Sequence, residues 1–106
     1  PDNDNGKIRH QYDSLNEHPE NRDRFWKALG DHNVKAYICG HTHNFSVAKI
    51  NNVWQIDTGH ARGKGDTSSR STYIRMFVMA NGDVWYYAFR INPSNNTYEL
   101  SKYDKL

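Results

Sequence analysis

Residues 34–59 read VKAYICGHTHNFSVAKINNVWQIDTG. The run VKAYIC has almost no polar interruption and predicts a strand buried on both faces. FSVAKI and VWQIDTG predict two further strands, joined by a tight hairpin at Asn51-Asn52. Between the first strand and the second lie Gly40, His41, Thr42 and His43. In an extended segment residues i and i+2 point to one side, so the two imidazoles would share a face about 6–7 Å apart. Imidazole is the commonest side-chain metal ligand. A pair so spaced could close on one metal, or each could hold one member of a metal pair. Gly40 lets the backbone turn sharply, and α/β sheets place their sites in loops at the carboxyl ends of strands.

Outward from this centre, Pro19 can begin a helix whose first turn carries Glu20. Phe25, Trp26 and Leu29 give it an apolar stripe, and Gly30 marks its stop, so the spacing predicts a helix over 19–30. Residues 1–18 are polar and read as loop. HARGKGDTSSR, 60–70, reads as a long exposed loop. TYIRMFVM and VWYYAFRI flank Asn81-Gly82, a pattern for a type I′ hairpin. After the turn NPSNN, TYELSKY adds an edge strand. The expectation is α+β: one short helix and five or six mostly antiparallel strands, in one unit over 1–106. So many strands with so few apolar residues call for a further layer over the aromatic faces.

The 106 residues suffice for one small domain or a piece of a larger one. With 36% hydrophobic residues and a mean hydropathy of −1.00, the chain is lean in core material and should be only marginally stable alone. Three Trp, seven Tyr and four Phe partly offset this. The net charge of +2 is spread without a Lys/Arg stripe, which argues against nucleic acid as a specific partner. Cys39 is alone, so no intramolecular disulfide framework forms. No apolar run is long enough to span a membrane. A chain that begins at Pro1 without Met suggests a polypeptide cut from something longer. Exposed apolar strand edges then predict self-association, as a homo-oligomer. Nothing in the sequence points to a compartment.

Two imidazoles do not make a metal site, since zinc takes four ligands, three of them from protein even in catalytic centres. His10, His18, Asp57, His60 and Asp66 are further candidates, yet none forms a second tight motif with the pair. His60 and Arg62, after a strand end, could approach a substrate phosphate, for which Arg offers bidentate contact. Taken alone, the pair can equally be a surface feature of a turn. A competing reading is a small β-rich module that binds a glycan or single-stranded nucleic acid through its aromatics. A third is a structural-metal domain with added ligands from His10, His18 or His60.

YICGHTHNFS followed by VWQIDTGHARG resembles the carboxyl-terminal signature of the calcineurin-like metallophosphoesterases, which carry G-H-x-H at a strand end. RDRFWKAL is similar to the helix before that signature, so the resemblance covers about residues 20–63. It implies the carboxyl-terminal part of a four-layer α/β/β/α sandwich, with His41 on one metal of a dinuclear centre and His43 on the other. The implied cofactors are two divalent or trivalent ions, Mn, Fe or Zn, and the implied substrate is a phosphoester. The family's earlier D-x-H, G-D-x-x-D and G-N-H motifs do not occur here. The resemblance thus implies a missing amino-terminal half as partner, and little or no activity for this chain alone.

Overall fold

A computed structural model describes residues 14–63 and 69–106. His10 and Asp66, two candidate ligands, lie outside these residues, as do most of the amino-terminal stretch read as loop and the middle of 60–70. After one 3₁₀ turn, Leu15–Glu17, come helix α1 (Pro19–Asp31) and strands β1 (Ala36–Cys39), β2 (Phe45–Ile50), β3 (Val53–Thr58), β4 (Thr72–Val78), β5 (Val84–Asn92) and β6 (Thr97–Lys105). The α+β expectation holds, with the strands divided between two three-stranded sheets, ordered β1-β3-β2 and β4-β5-β6.

Pro19 occupies the first turn of α1, with Glu20 beside it, where a missing N–H costs nothing and an acid meets the positive helix end. The helix does not stop at Gly30. It ends in a Schellman motif in which Asn33, at φ 55°, takes the left-handed position usually given to glycine. The Asn33 N–H donates to Gly30 O at 3.1 Å and the Val34 N–H to Leu29 O at 3.0 Å. Trp26 anchors the helix to the first sheet. It is buried, its Nε1–H donates to the Ile50 carbonyl at 2.9 Å, and its ring meets Tyr37 edge-on at 6.0 Å.

β3 is the spine of the first sheet. It pairs in parallel with β1, Cys39 opposite Asp57, and antiparallel with β2, Phe45 opposite Thr58. Asn51 and Asn52 both have positive φ, 47° and 65°, as a type I′ hairpin requires. Asn81-Gly82, expected to form the same turn, does not. Only Gly82 has positive φ there, at 88°, and the connection is wider, closed by Gly82 N–H to Met79 O at 2.9 Å and Met79 N–H to Asp83 O at 2.7 Å. β1 is an edge strand rather than one buried on both faces: Ile38 is 48% exposed, because β1 pairs only with β3 among the described strands.

The sheets meet through Phe45 and Ile56 on one side and Tyr86 and Ala88 on the other, with Ala36, Val47, Ile74 and Leu106 at the margin. Strand alternation divides β5 as its sequence implies. Tyr86 and Ala88 point into this core, while Trp85, Tyr87 and Phe89 lie on the opposite face. That outer face is an aromatic surface on which Tyr73 stacks on Phe89 at 5.0 Å and Tyr87 on Tyr103 at 5.6 Å. It holds a shallow depression of about 440 Å³. β6, the edge strand expected over TYELSKY, is exposed along its whole length and carries a register shift opposite Ala88/Phe89.

Candidate functional site

Strand order places the Gly-His-Thr-His segment. β1 and β2 lie on opposite sides of β3, so residues 40–44 must cross over the carboxyl end of β3 to join them. The end of β3 and the residues after it therefore lie beneath this loop and are what can hold it.

They hold it at several points. The buried Asp57 carboxylate accepts the Thr42 N–H at 3.3 Å and the Thr42 hydroxyl at 2.8 Å, both on Oδ2. Its Oδ1 accepts the Gly59 N–H at 2.9 Å. Such charge-assisted donors offset the cost of burying a carboxylate. Thr58 Oγ1 donates to the Cys39 carbonyl at 3.3 Å. The Ser69 hydroxyl, reaching in from beyond residues 64–68, donates to the His43 carbonyl. Gly59 has φ +73°, and a Cβ there would meet the Phe45 nitrogen at 3.0 Å, so the close approach needs glycine.

The loop is not extended. His43 has φ 62°, and residues 41–44 form bends. The i, i+2 alternation that put both imidazoles on one side therefore does not apply here. His41 is exposed and lines a groove of about 1000 Å³ that runs between α1 and the outer face of the first sheet, with Arg22, Tyr37, Cys39 and Gln55 among its walls. His43 is half-buried and is not among the residues of that groove. Its ring stands 6.3 Å from the His60 ring. His18 lies on the groove, at the start of α1.

His60 and Arg62 part company. His60 is buried. Its Nδ1 accepts the Arg62 backbone N–H at 3.2 Å, which leaves Nε2–H to donate to the Ser69 carbonyl at 2.9 Å. Both ring nitrogens thus bind the frame around the loop, and Arg62 alone of the two is exposed. The loop 60–70 is correspondingly less exposed at its ends than its composition suggests, since Ser69 is buried as well. Cys39, half-buried beneath the crossing, has its thiol pKa raised, first by burial and then by the Asp57 carboxylate, against a lowering hydrogen bond from Gln55.

The donor chemistry here fits part of a metal site. Two imidazoles at a strand end are suitable ligands. Among the described residues, however, no three His, Cys, Asp or Glu side chains converge on a point a metal could occupy. Asp57, beneath the loop, has Oδ2 committed to Thr42 and Oδ1 to Gly59. A catalytic zinc takes three protein ligands, more than the described residues bring to one point.

The sequence matches no family model and no protein of curated description. The fold has solved counterparts. It is similar to a double mutant of Vps29 from Entamoeba histolytica, with a TM-score of 0.58 and 12% identity over 80% of this chain and 47% of that one. Wild-type Vps29 of the same organism, complexed with Zn²⁺, gives a TM-score of 0.55 and 14% identity over 80% and 46%. Vps29 of Chaetomium thermophilum gives 0.53 and 17% over 76% and 43%. The chain spans about half the length of these structures. What it shares with them is the metallophosphoesterase-like fold.

Proposed function

We propose that this chain is the carboxyl-terminal portion of a dinuclear-metal phosphoesterase and supplies its last two ligands, His41 and His43. The supporting observation is the Gly-His-Thr-His loop at the carboxyl end of parallel strands β1 and β3, in a chain whose fold is metallophosphoesterase-like. That one similar Vps29 is complexed with Zn²⁺ agrees with metal chemistry on this fold. Bound Mn, Fe or Zn ions supply Lewis acidity and a water of lowered pKa. The chain's own contribution is to hold two imidazoles on a pinned loop, to leave His41 open to the groove, and to keep the Arg62 guanidinium accessible to a phosphate. The remaining donors belong to a missing amino-terminal half, which would seat beside the open edge of β1.

The test is hydrolysis of a chromogenic phosphoester with added Mn²⁺, Zn²⁺ or Fe²⁺. The 106-residue chain is expected to give little or no turnover. The longest polypeptide that contains it is expected to turn over, and to lose activity in His41→Ala and His43→Ala. Full activity in both variants, or robust turnover by the short chain, overturns the proposal.

One observation favours a second reading, a binding module for a glycan or single-stranded nucleic acid. The outer face of the second sheet carries stacked, exposed aromatics such as Tyr103, 58% exposed, and base or sugar stacking on such platforms is sequence-tolerant. Binding of labelled oligosaccharides or oligonucleotides that Tyr87→Ala abolishes would support it. The same uncovered faces underlie the expected self-association, and a clean monomer by light scattering at high concentration would refute that.

A further inference from the structure

Thr42 sits between the two candidate ligands, and its hydroxyl lies within reach of the Asp57 carboxylate at 2.8 Å and of the Asn44 carbonyl at 3.3 Å. Its N–H and its hydroxyl both reach Asp57 Oδ2, at 3.3 and 2.8 Å. The hydroxyl has one proton, and the shorter, charged acceptor takes it. Its oxygen is then free to accept the Asn44 N–H at 3.4 Å. Backbone and side chain of Thr42 are thus fixed together, and the backbone of the flanking His41 and His43 is held with it. The other carboxylate oxygen is fixed to Gly59, so Asp57 ties the crossing loop to the turn after β3. It sits rigidly at a strand end and is 5% exposed, so solvent scarcely competes for its lone pairs.

We infer that Asp57 and Thr42 form a clamp that positions His41 and His43 for metal. This rests on the reading of the two histidines as ligands. Asp57 is a positioning residue here rather than a ligand, because its oxygens face N–H and O–H donors of the protein. Residues that orient metal-bound imidazoles commonly change metal affinity about 10–100-fold when altered. Thr42→Val keeps the shape and removes the hydroxyl, while Thr42→Ser keeps the hydroxyl. Asp57→Asn sets an NH₂ group against an N–H donor, because both carboxylate oxygens accept.

The experiment is Zn²⁺ titration of the longest polypeptide that contains this chain, followed by calorimetry and by the histidine ring resonances, alongside amide hydrogen exchange at Thr42 and Gly59. Thr42→Val and Asp57→Asn are expected to bind Zn²⁺ about 10-fold more weakly or worse, with Thr42→Ser restoring the wild-type affinity. Gly59 exchange should quicken in Asp57→Asn. Wild-type affinity in both Thr42→Val and Asp57→Asn overturns the clamp, as does weakening in Thr42→Ser equal to that in Thr42→Val. If the wild type takes no Zn²⁺, or takes it equally well in His41→Ala, the ligand reading fails and the positioning role with it. Faster Gly59 exchange in Asp57→Asn would then mark a lock on the loop alone. Should Asp57→Asn fail to fold, the two Thr42 variants decide.

Discussion

Replacing Tyr86 by Phe should stabilise this protein. Tyr86 is 0% exposed and stands at the centre of the contact between the sheets, against Phe45 and Ile56. Its hydroxyl oxygen is buried and has no hydrogen-bond partner among the described residues. A buried hydroxyl without a partner costs about 1–3 kcal/mol by protein mutational data. Phe keeps the ring, and with it the packing, so the cost is removed without opening a cavity. For a domain of this size each kcal/mol moves Tm by about 4–8 °C, so thermal unfolding followed by circular dichroism at pH 7 should show a rise of several degrees. The alkaline limb gives a second check. Burial first and the Asp104 carboxylate second raise the Tyr86 pKa above the ordinary 10.0. Above that pH the unfolded chain releases a proton that the folded chain retains, so this group's contribution is intact below pH 10 and is lost as pH climbs through the raised value. The Phe variant should lack that loss. An unchanged or lowered Tm at pH 7 would mean that the hydroxyl is satisfied and would refute the argument.

Gly59→Ala should destabilise the chain by more than the 1–2 kcal/mol of a left-handed non-glycine residue, because the new Cβ meets backbone rather than a movable side chain; urea unfolding measures it. Ile56→Ala, at a site 0% exposed, should cost about 2–5 kcal/mol, a large share of what a small domain holds, and a midpoint shift worth under 1 kcal/mol would contradict the core assignment. Trp26→Phe gives up the bond to the Ile50 carbonyl and should cost about 0.5–1.5 kcal/mol, seen in the same unfolding curves. Cys39 should alkylate more slowly than a free thiol at pH 8, since burial and Asp57 hold it protonated. A rate with iodoacetamide equal to that of a small thiol would show otherwise.

Local signals in the sequence carried far. Pro19, the Phe25-Trp26-Leu29 stripe and the runs FSVAKI and VWQIDTG about Asn51-Asn52 were enough to place α1, β2 and β3, because each depends on neighbours in the chain. The turns were harder. Asn51-Asn52 takes positive φ at both residues, whereas Asn81-Gly82, the stronger hairpin dipeptide, forms a wider connection whose shape follows from the strands it joins. β1 read as a buried strand because Val34–Cys39 has little polar interruption, yet apolar composition cannot tell a central strand from an edge strand. At the candidate site the histidines were visible as a motif. Their geometry was not, since the left-handed His43 and the crossing over β3 come from strand order. The role of Asp57 was also hidden. It was named as a candidate ligand from its residue type, and only the parallel pairing of Cys39 with Asp57 puts it under Thr42. That pairing was the one available clue, had the fold of the DTG turn been foreseen.

The crossing also sets a limit on length. Two inter-strand spacings separate β1 from β2, about 9–10 Å, while the six Cα steps from Cys39 to Phe45 drawn out straight reach roughly 20–22 Å. The surplus is the coil that turns back at His43 and drops Thr42 onto Asp57. A shorter bridge would still reach β2, but only by straightening, and the threonine would lift off its anchor. A longer one would bulge away from it. The five-residue span of this segment is therefore itself part of the site.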